Sequence, residues 1–249
     1  MDTSSFLKKC CFLPAKTNGQ KFPALAGIST NELGDFAVYS DDQAAEFSLN
    51  RHLAKALCGS YEYHKLIPDH DDKIANADEK GSWWHGDGFW SFDPDFPKNK
   101  KVGDALISIT ADCPSVVISS INQSFISVIH SGWRGTEKRI IPKAINLAIG
   151  QGIDSSQLLV GLFPGICGQC YEVGPEFEKI FPGYVENDCL DLRSVIMDQI
   201  TGCGINAEQI FTLDYCSLES QKEGQFLFQS VRRNKSKERN AVFIARQLI

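Results

Sequence analysis

Cys113 and His130 are the two residues whose types and spacing invite chemistry. They stand seventeen positions apart (130 − 113), each at the end of a short apolar run. A thiolate is both a nucleophile and a soft metal ligand, and a neutral imidazole is both a base and a metal ligand. The pair therefore suits nucleophilic catalysis or the binding of an ion such as zinc. Two positions do not make a site by themselves, because free cysteine is often buried and a strand histidine is often structural. What surrounds them decides the matter.

Three runs rich in β-branched and apolar residues, 105–110, 115–119 and 125–129, predict strands. Ala111-Asp112-Cys113-Pro114 joins the first two, and Asn122-Gln123-Ser124 turns between the second and third. His130 ends the third run. Ser131-Gly132-Trp133-Arg134-Gly135 then lets the backbone turn tightly towards a helix. Both residues thus fall at strand ends, where a rigid sheet holds side chains for chemistry.

The rest of the chain reads as α/β. Strands are expected at 22–28 and 36–39. A helix follows the cap residues Ser40-Asp41-Asp42 and runs to Cys58-Gly59, carrying Asn50 and Arg51. Residues 60–101 are the least regular part and hold His64, His70 and His85. A helix is expected at 137–149, with Pro142 in its first turns, where it is tolerated. A strand at 157–163, a helix opened by Pro175, and a helix at 191–203 stopped by Gly204 come next. Strands at 209–213, 226–231 and 241–245 close the chain. No internal repeat is visible.

Composition excludes several classes. A hydrophobic content of 43% is ample for a core. The net charge of −6 argues against binding to a nucleic-acid backbone. No apolar run approaches the roughly 20 residues that span a bilayer. The patch after Lys8-Lys9 is too short for a secretory signal, so a cytoplasmic location is expected. The nine cysteines are widely spread and read as reduced, mostly buried thiols. Cys167-Gly168-Gln169-Cys170 has no second pair at zinc-ribbon spacing and reads as structural.

Ala111-Asp112-Cys113-Pro114 followed by His130-Ser131-Gly132-Trp133-Arg134-Gly135 closely resembles the paired signature of the laccase-domain, YfiH-like family. That family, long called polyphenol oxidoreductases, is associated with purine nucleoside phosphorolysis and adenosine deamination. The stretch from Pro164 through Cys170-Tyr171-Glu172-Val173 resembles its third signature. Gly27-Ile28-Ser29 and Asn50-Arg51 match further family features in order. The resemblance covers about residues 22–244. It implies one domain over residues 1–249: a layered α-β-β-α sandwich with mixed sheets, related to CNF-toxin-like cysteine hydrolases.

The resemblance also implies a ligand set. The family's first metal ligand is the His of a Gln-Val-His-Gly segment. Trp83-Trp84-His85-Gly86 stands there, so His85 is preferred, with His70 as the alternative. His85, Cys113 and His130 would then hold zinc, in preference to copper, and leave an open position. Zinc-acidified water could attack C6 of adenosine. Phosphorolysis needs forked donors for phosphate, for which Arg51, beside Asn50, and Arg134 are the candidates. Asp112 is a candidate for protonating the departing purine, or for orienting His130 or the backbone. The implied partners are a purine nucleoside and phosphate, with no nucleic acid or membrane, in a monomer or homodimer. Two alternatives stay open: a metal-free Cys113–His130 hydrolase or amidase, and a copper-dependent phenol oxidase. Five histidines in all are too few for linked copper clusters, so phenol oxidation should be weak and need added copper.

Overall fold

The computed structural model describes residues 8–14, 19–37, 60–80, 83–98 and 102–247. Among these the strands are Cys10–Phe12 (β1), Leu25–Ser29 (β2), Ser60–Ile67 (β3), Ile74–Asn76 (β4), Trp83–His85 (β5) and Gly88–Phe92 (β6). Val102–Thr110 (β7), Ser115–Ser120 (β8), Phe125–His130 (β9) and Leu158–Leu162 (β10) follow. Then come Val185–Glu186 (β11), Cys189–Leu190 (β12), Ile210–Thr212 (β13), Gln221–Lys222 (β14), Gln225–Phe226 (β15) and Asn240–Ala245 (β16). The described helices are Ala77–Lys80 (α1), Trp133–Glu137 (α2), Ile140–Gly150 (α3), Phe177–Ile180 (α4), Leu192–Thr201 (α5) and Val231–Asn234 (α6).

Two six-stranded sheets carry the fold, in the orders β1-β2-β16-β7-β3-β5 and β13-β10-β8-β9-β6-β4. Both mix parallel and antiparallel pairs, as expected for this α/β class. They pack face to face: Leu66, Leu106, Val242 and Ile244 of the first meet Val117, Ile126 and Val128 of the second. On the far side of the second sheet, Val116, Ile118 and Ile129 pack against Ile141 and Ile145 of α3 and Ile196 and Ile200 of α5. The second sheet is thus buried on both faces, which is why β8 and β9 are buried at every position and carry apolar residues on both faces rather than in strict alternation.

Local chemistry sets the element ends. Arg139 takes a left-handed φ of 60° and splits the helix expected at 137–149 into α2 and α3. Pro142 is the third residue of α3, where its missing N–H has no helical partner to lose. The Asp191 carboxylate accepts from the Ser194 N–H and caps α5.

Other expectations change as well. Residues 60–98 are not irregular but contain β3 to β6. β3 lies inside its sheet with His64 and Lys65 buried, and these polar residues mask its strand character. The strand expected at 226–231 gives way after Phe226. Asn240 Oδ1 accepts from the Gln229 N–H and Ser230 Oγ from the Arg233 N–H, so side-chain bonds replace a ladder. All eight described cysteines are free thiols, and of these Cys216 alone is buried. Phe36 and Ala37 lie in no strand; the rest of that expected strand and the helix with Asn50 and Arg51 lie outside the described residues.

One topological feature builds the site. β3, β5 and β7 run parallel, so their C-terminal ends lie at one end of the first sheet. From each of them the chain passes straight into the second sheet, to β4, β6 and β8 in turn. These three passages carry His70, Asp87 and Cys113.

Candidate active site

Strand register brings the key residues together. His130 pairs with Ser115 of β8, and its neighbour Ile129 pairs with Gly88 of β6. Cys113, two residues before Ser115, and Asp87, one before Gly88, therefore flank His130. Backbone bonds tie the three passages down: His130 N–H donates to the Asp87 carbonyl (2.8 Å) and Ser131 N–H to the Pro114 carbonyl (2.9 Å). Thr110 Oγ1 donates to the Cys113 carbonyl at 2.6 Å.

Asp87 is the hub. Its buried carboxylate accepts from His130 Nδ1 at 2.9 Å. It also accepts from the backbone N–H groups of His70 (3.0 Å) and Asp71 (2.7 Å). One carboxylate thus orients one imidazole and holds the loop that presents the other. His70 has a left-handed φ of 58°, and its ring meets His130 edge to face with centroids 5.0 Å apart. Donor atoms of His70, Cys113 and His130 all lie within 4.8 Å of one another. Gly132 leaves them room. A Cβ there would sit 3.1 Å from Cys113 Sγ, 3.5 Å from His130 Cε1 and 3.6 Å from His70 Cδ2.

The electrostatics follow from this crowding. Burial pushes the Cys113 thiol up, but His130 and then His70 outweigh it and bring the thiol down to about 6. Burial pushes the His130 imidazole down, but Cys113 and Asp87 outweigh that and raise it to about 9. With Nδ1 engaged by Asp87, His130 is left with Nε2 to offer the thiol or an ion.

The residues expected at the site divide. Cys113 and His130 come together. His85 does not join them: its side chain is 70% exposed and its ring lies 3.4 Å from Asp69 Oδ1. It ends the edge strand β5, before the chain crosses to the other sheet. The alternative, His70, takes its place. Asp112 does not orient His130. Its carboxylate accepts from Ser217 Oγ (2.8 Å) and the Arg232 N–H (2.9 Å), so it fixes backbone. Arg134 is exposed, and its guanidinium lies over the ring of its neighbour Trp133 at 4.4 Å. Asn50 and Arg51 lie outside the described residues.

A cleft of about 130 Å³ opens onto the group. Ile67, Pro68, Ile109 and Val231 give it apolar walls, and Asp112 and Arg239 border it. Arg239 Nη1 donates to the carbonyls of Ser236 (3.3 Å) and Glu238 (2.9 Å). Asp87 and Arg239 are the residues that sequence reasoning missed. A carboxylate two positions after His85 was the available signal for the first, since metal-binding histidines are commonly oriented by one.

A thiol and two imidazoles at the seam of a two-sheet α/β sandwich, steadied by a buried carboxylate, present the donors that metal-assisted or nucleophilic chemistry requires. Residues 25–247 match the family described as multi-copper polyphenol oxidoreductase laccase, and the chain belongs to that family. It is 28% identical over 159 residues to purine nucleoside phosphorylase slr1573 of Synechocystis sp., covering 52% of this chain and 59% of that protein. It is 31% identical over 134 residues to the purine nucleoside phosphorylase of Aquifex aeolicus, covering 52% and 60%. Adenosine deaminase RL5, from an unknown prokaryotic organism, is 29% identical over 121 residues, covering 43% and 46%. The chain therefore spans roughly half the length of these relatives. Two solved structures share the fold. YfiH of Bacillus licheniformis has a TM-score of 0.70 at 20% identity, over 91% of this chain and 93% of that one. NMB0706 of Neisseria meningitidis has a TM-score of 0.71 at 17% identity, over 97% and 100%.

Proposed function

We propose that the protein is a zinc-dependent purine nucleoside phosphorylase, with zinc held by His70, Cys113 and His130. The observation that carries this reading is the convergence of those three donors within 4.8 Å, beside a mostly apolar cleft. The donor set fits the ion. One thiolate and two imidazoles with an open position is a ligand set that catalytic zinc uses, with donors about 3.3–3.6 Å apart. A zinc ion bound there supplies Lewis acidity and acidifies water towards neutral pH.

The remaining roles belong to the chain. Asp87 Oδ1 accepts the Nδ1 proton of His130 and keeps Nε2 facing inward. Ile67, Ile109 and Val231 offer apolar surface to the purine. Arg239, fixed by two carbonyls, borders the cleft and offers its remaining donors to phosphate oxygens. Asp112 has both oxygens engaged, so its role is to hold the cleft wall. Adenosine, inosine, guanosine-type nucleosides and methylthioadenosine are the substrates, and adenosine deamination is a second activity of the same site.

The test is release of free base from adenosine and inosine as phosphate is titrated. Base release should depend on phosphate, and Arg239→Ala should raise the KM for phosphate about tenfold or more, the scale of one charge-assisted hydrogen bond. Arg51→Ala should likewise weaken the phosphate dependence. Base release indifferent to phosphate would sink the reading, and an unchanged phosphate KM in Arg239→Ala would remove that residue from it.

One observation favours a second reading. The 2.9 Å bond between Asp87 and His130, next to a thiol brought down to about 6, is also the arrangement of a metal-free Cys113 nucleophile with His130 as base. There His70 would help His130 to lower the thiol rather than ligate an ion. Full activity after exhaustive chelation would favour it.

A further inference from the structure

We infer that Cys167, Cys170, Cys216 and Glu219 form a second metal site, separate from the His70–Cys113–His130 group, that holds a structural zinc ion. One donor atom from each of the four lies within 4.8 Å of all the others. Three thiolates and a carboxylate complete a tetrahedral zinc shell, and the thiolates make the site soft. The spacing argument against zinc fails here because the third thiol comes from 46 positions away (216 − 170).

The backbone builds the arrangement from two sides. Cys167 to Cys170 is a tight turn, in which the N–H groups of Cys170 and Tyr171 both donate to the Cys167 carbonyl at 3.0 Å. The Cys167 N–H itself donates to Cys216 Sγ at 3.3 Å. On the other loop, Cys216 N–H donates to Ser220 Oγ (2.9 Å) and Ser220 N–H to the Cys216 carbonyl (3.0 Å). That turn brings Glu219 back beside Cys216. Ser217 N–H donates to the Gly165 carbonyl at 3.0 Å and locks one loop to the other.

A disulfide would use two of the three sulfurs and leave a thiol and a carboxylate without purpose; a cation uses all four. Arg193 interacts electrostatically with Cys167 and Cys216 and offsets part of the remaining negative charge.

The consequence reaches the cleft. Ile166 N–H donates to the Asp112 carbonyl (2.8 Å) and Ser217 Oγ to its carboxylate (2.8 Å). The ion would fasten both loops that hold the residue next to Cys113. This inference stands whether or not the cleft cleaves nucleosides.

Protein purified under reductant, dialysed against a small excess of zinc and then against zinc-free buffer, should carry about two zinc ions per chain, one for each shell. Cys113→Ala and Cys113→Ser should each keep one. X-ray absorption on either variant should show about three sulfurs near 2.3 Å and one oxygen near 2.0 Å. Cys167→Ser combined with Cys216→Ser should lose one ion from the parent. If that double variant does not fold, the shell measured in the Cys113 variants decides alone. Cys113 variants free of zinc would overturn the inference. So would a disulfide among these cysteines, seen by peptide mapping and by an intact mass lighter by two hydrogens.

Discussion

Under the proposed function, replacing Cys113 with Ala should lower phosphate-dependent nucleoside cleavage on the order of a thousandfold and release one zinc ion. The size follows from removing the soft ligand, and with it the charge stabilisation that the ion supplies. The fold should survive, because Cys113 is half-buried in a loop held by the Thr110–Cys113 hydrogen bond, which uses backbone at the cysteine end. Circular dichroism, metal analysis and the base-release assay check the three parts. A variant with the parent's zinc content and rate would remove Cys113 from the site.

The metal-free protein offers a pH test of the same residue. With the thiol at about 6 and His130 at about 9, a thiolate–imidazolium pair exists between those values. Below about 6 the thiolate takes a proton, and above about 9 the imidazolium loses one. Alkylation of Cys113 should therefore be near its plateau at pH 7, where an ordinary thiol is mostly protonated. His130→Ala should slow it at pH 7 by removing the strongest influence that lowers the thiol. Equal alkylation rates in the two proteins would contradict this account of the pair.

Asp87 should give the second large effect, and its two variants should differ. Asp87→Ala strips acceptors from the His130 ring and from the backbone N–H groups of His70 and Asp71 at once. Leaving such buried donors unmet costs about 3–5 kcal/mol when charge is involved. Asp87→Asn keeps the shape and one accepting oxygen, so it should fold better. It still replaces a carboxylate that orients His130 by an amide, which should weaken zinc binding about 10–100-fold. Competition with a fluorescent chelator measures that affinity. A purely structural role predicts a lower melting temperature in Asn with an unchanged zinc Kd, and that result would refute the orienting role.

The legible and illegible parts of the site differ for physical reasons. Cys113 and His130 are readable because β7, β8 and β9 are apolar runs broken by turn residues. Where a run ends, strand register alone sets the neighbours. The choice between His85 and His70 is not readable in that way. It depends on where a crossing loop turns, through a left-handed His70 and two backbone bonds to Asp87, and such long-range contacts leave no local pattern. β3 is hidden for a related reason: an interior strand whose His64 and Lys65 are buried does not read as apolar. The Cys216 contribution to the second cluster is invisible because loop pairing, not sequence spacing, delivers it. Asp112 shows the converse. Its place in a signature word suggested acid–base chemistry, yet both its oxygens hold neighbouring loops.

The three passages between the sheets have a thermodynamic consequence. Each brings one part of the proposed ligand apparatus to the seam, and the three proposed ligands lie 43 and 17 positions apart along the chain (113 − 70 and 130 − 113). An unfolded chain would have to close both loops to offer the same three donors, at an entropic cost that grows with the logarithm of loop length. A cation at the seam therefore distinguishes the seated sandwich from every looser state and shifts the unfolding equilibrium by mass action. Affinity for the ion becomes a gauge of sheet seating. A substitution in the inter-sheet core, at Leu106 or Val128, should register as weaker zinc binding even though neither residue belongs to the donor set.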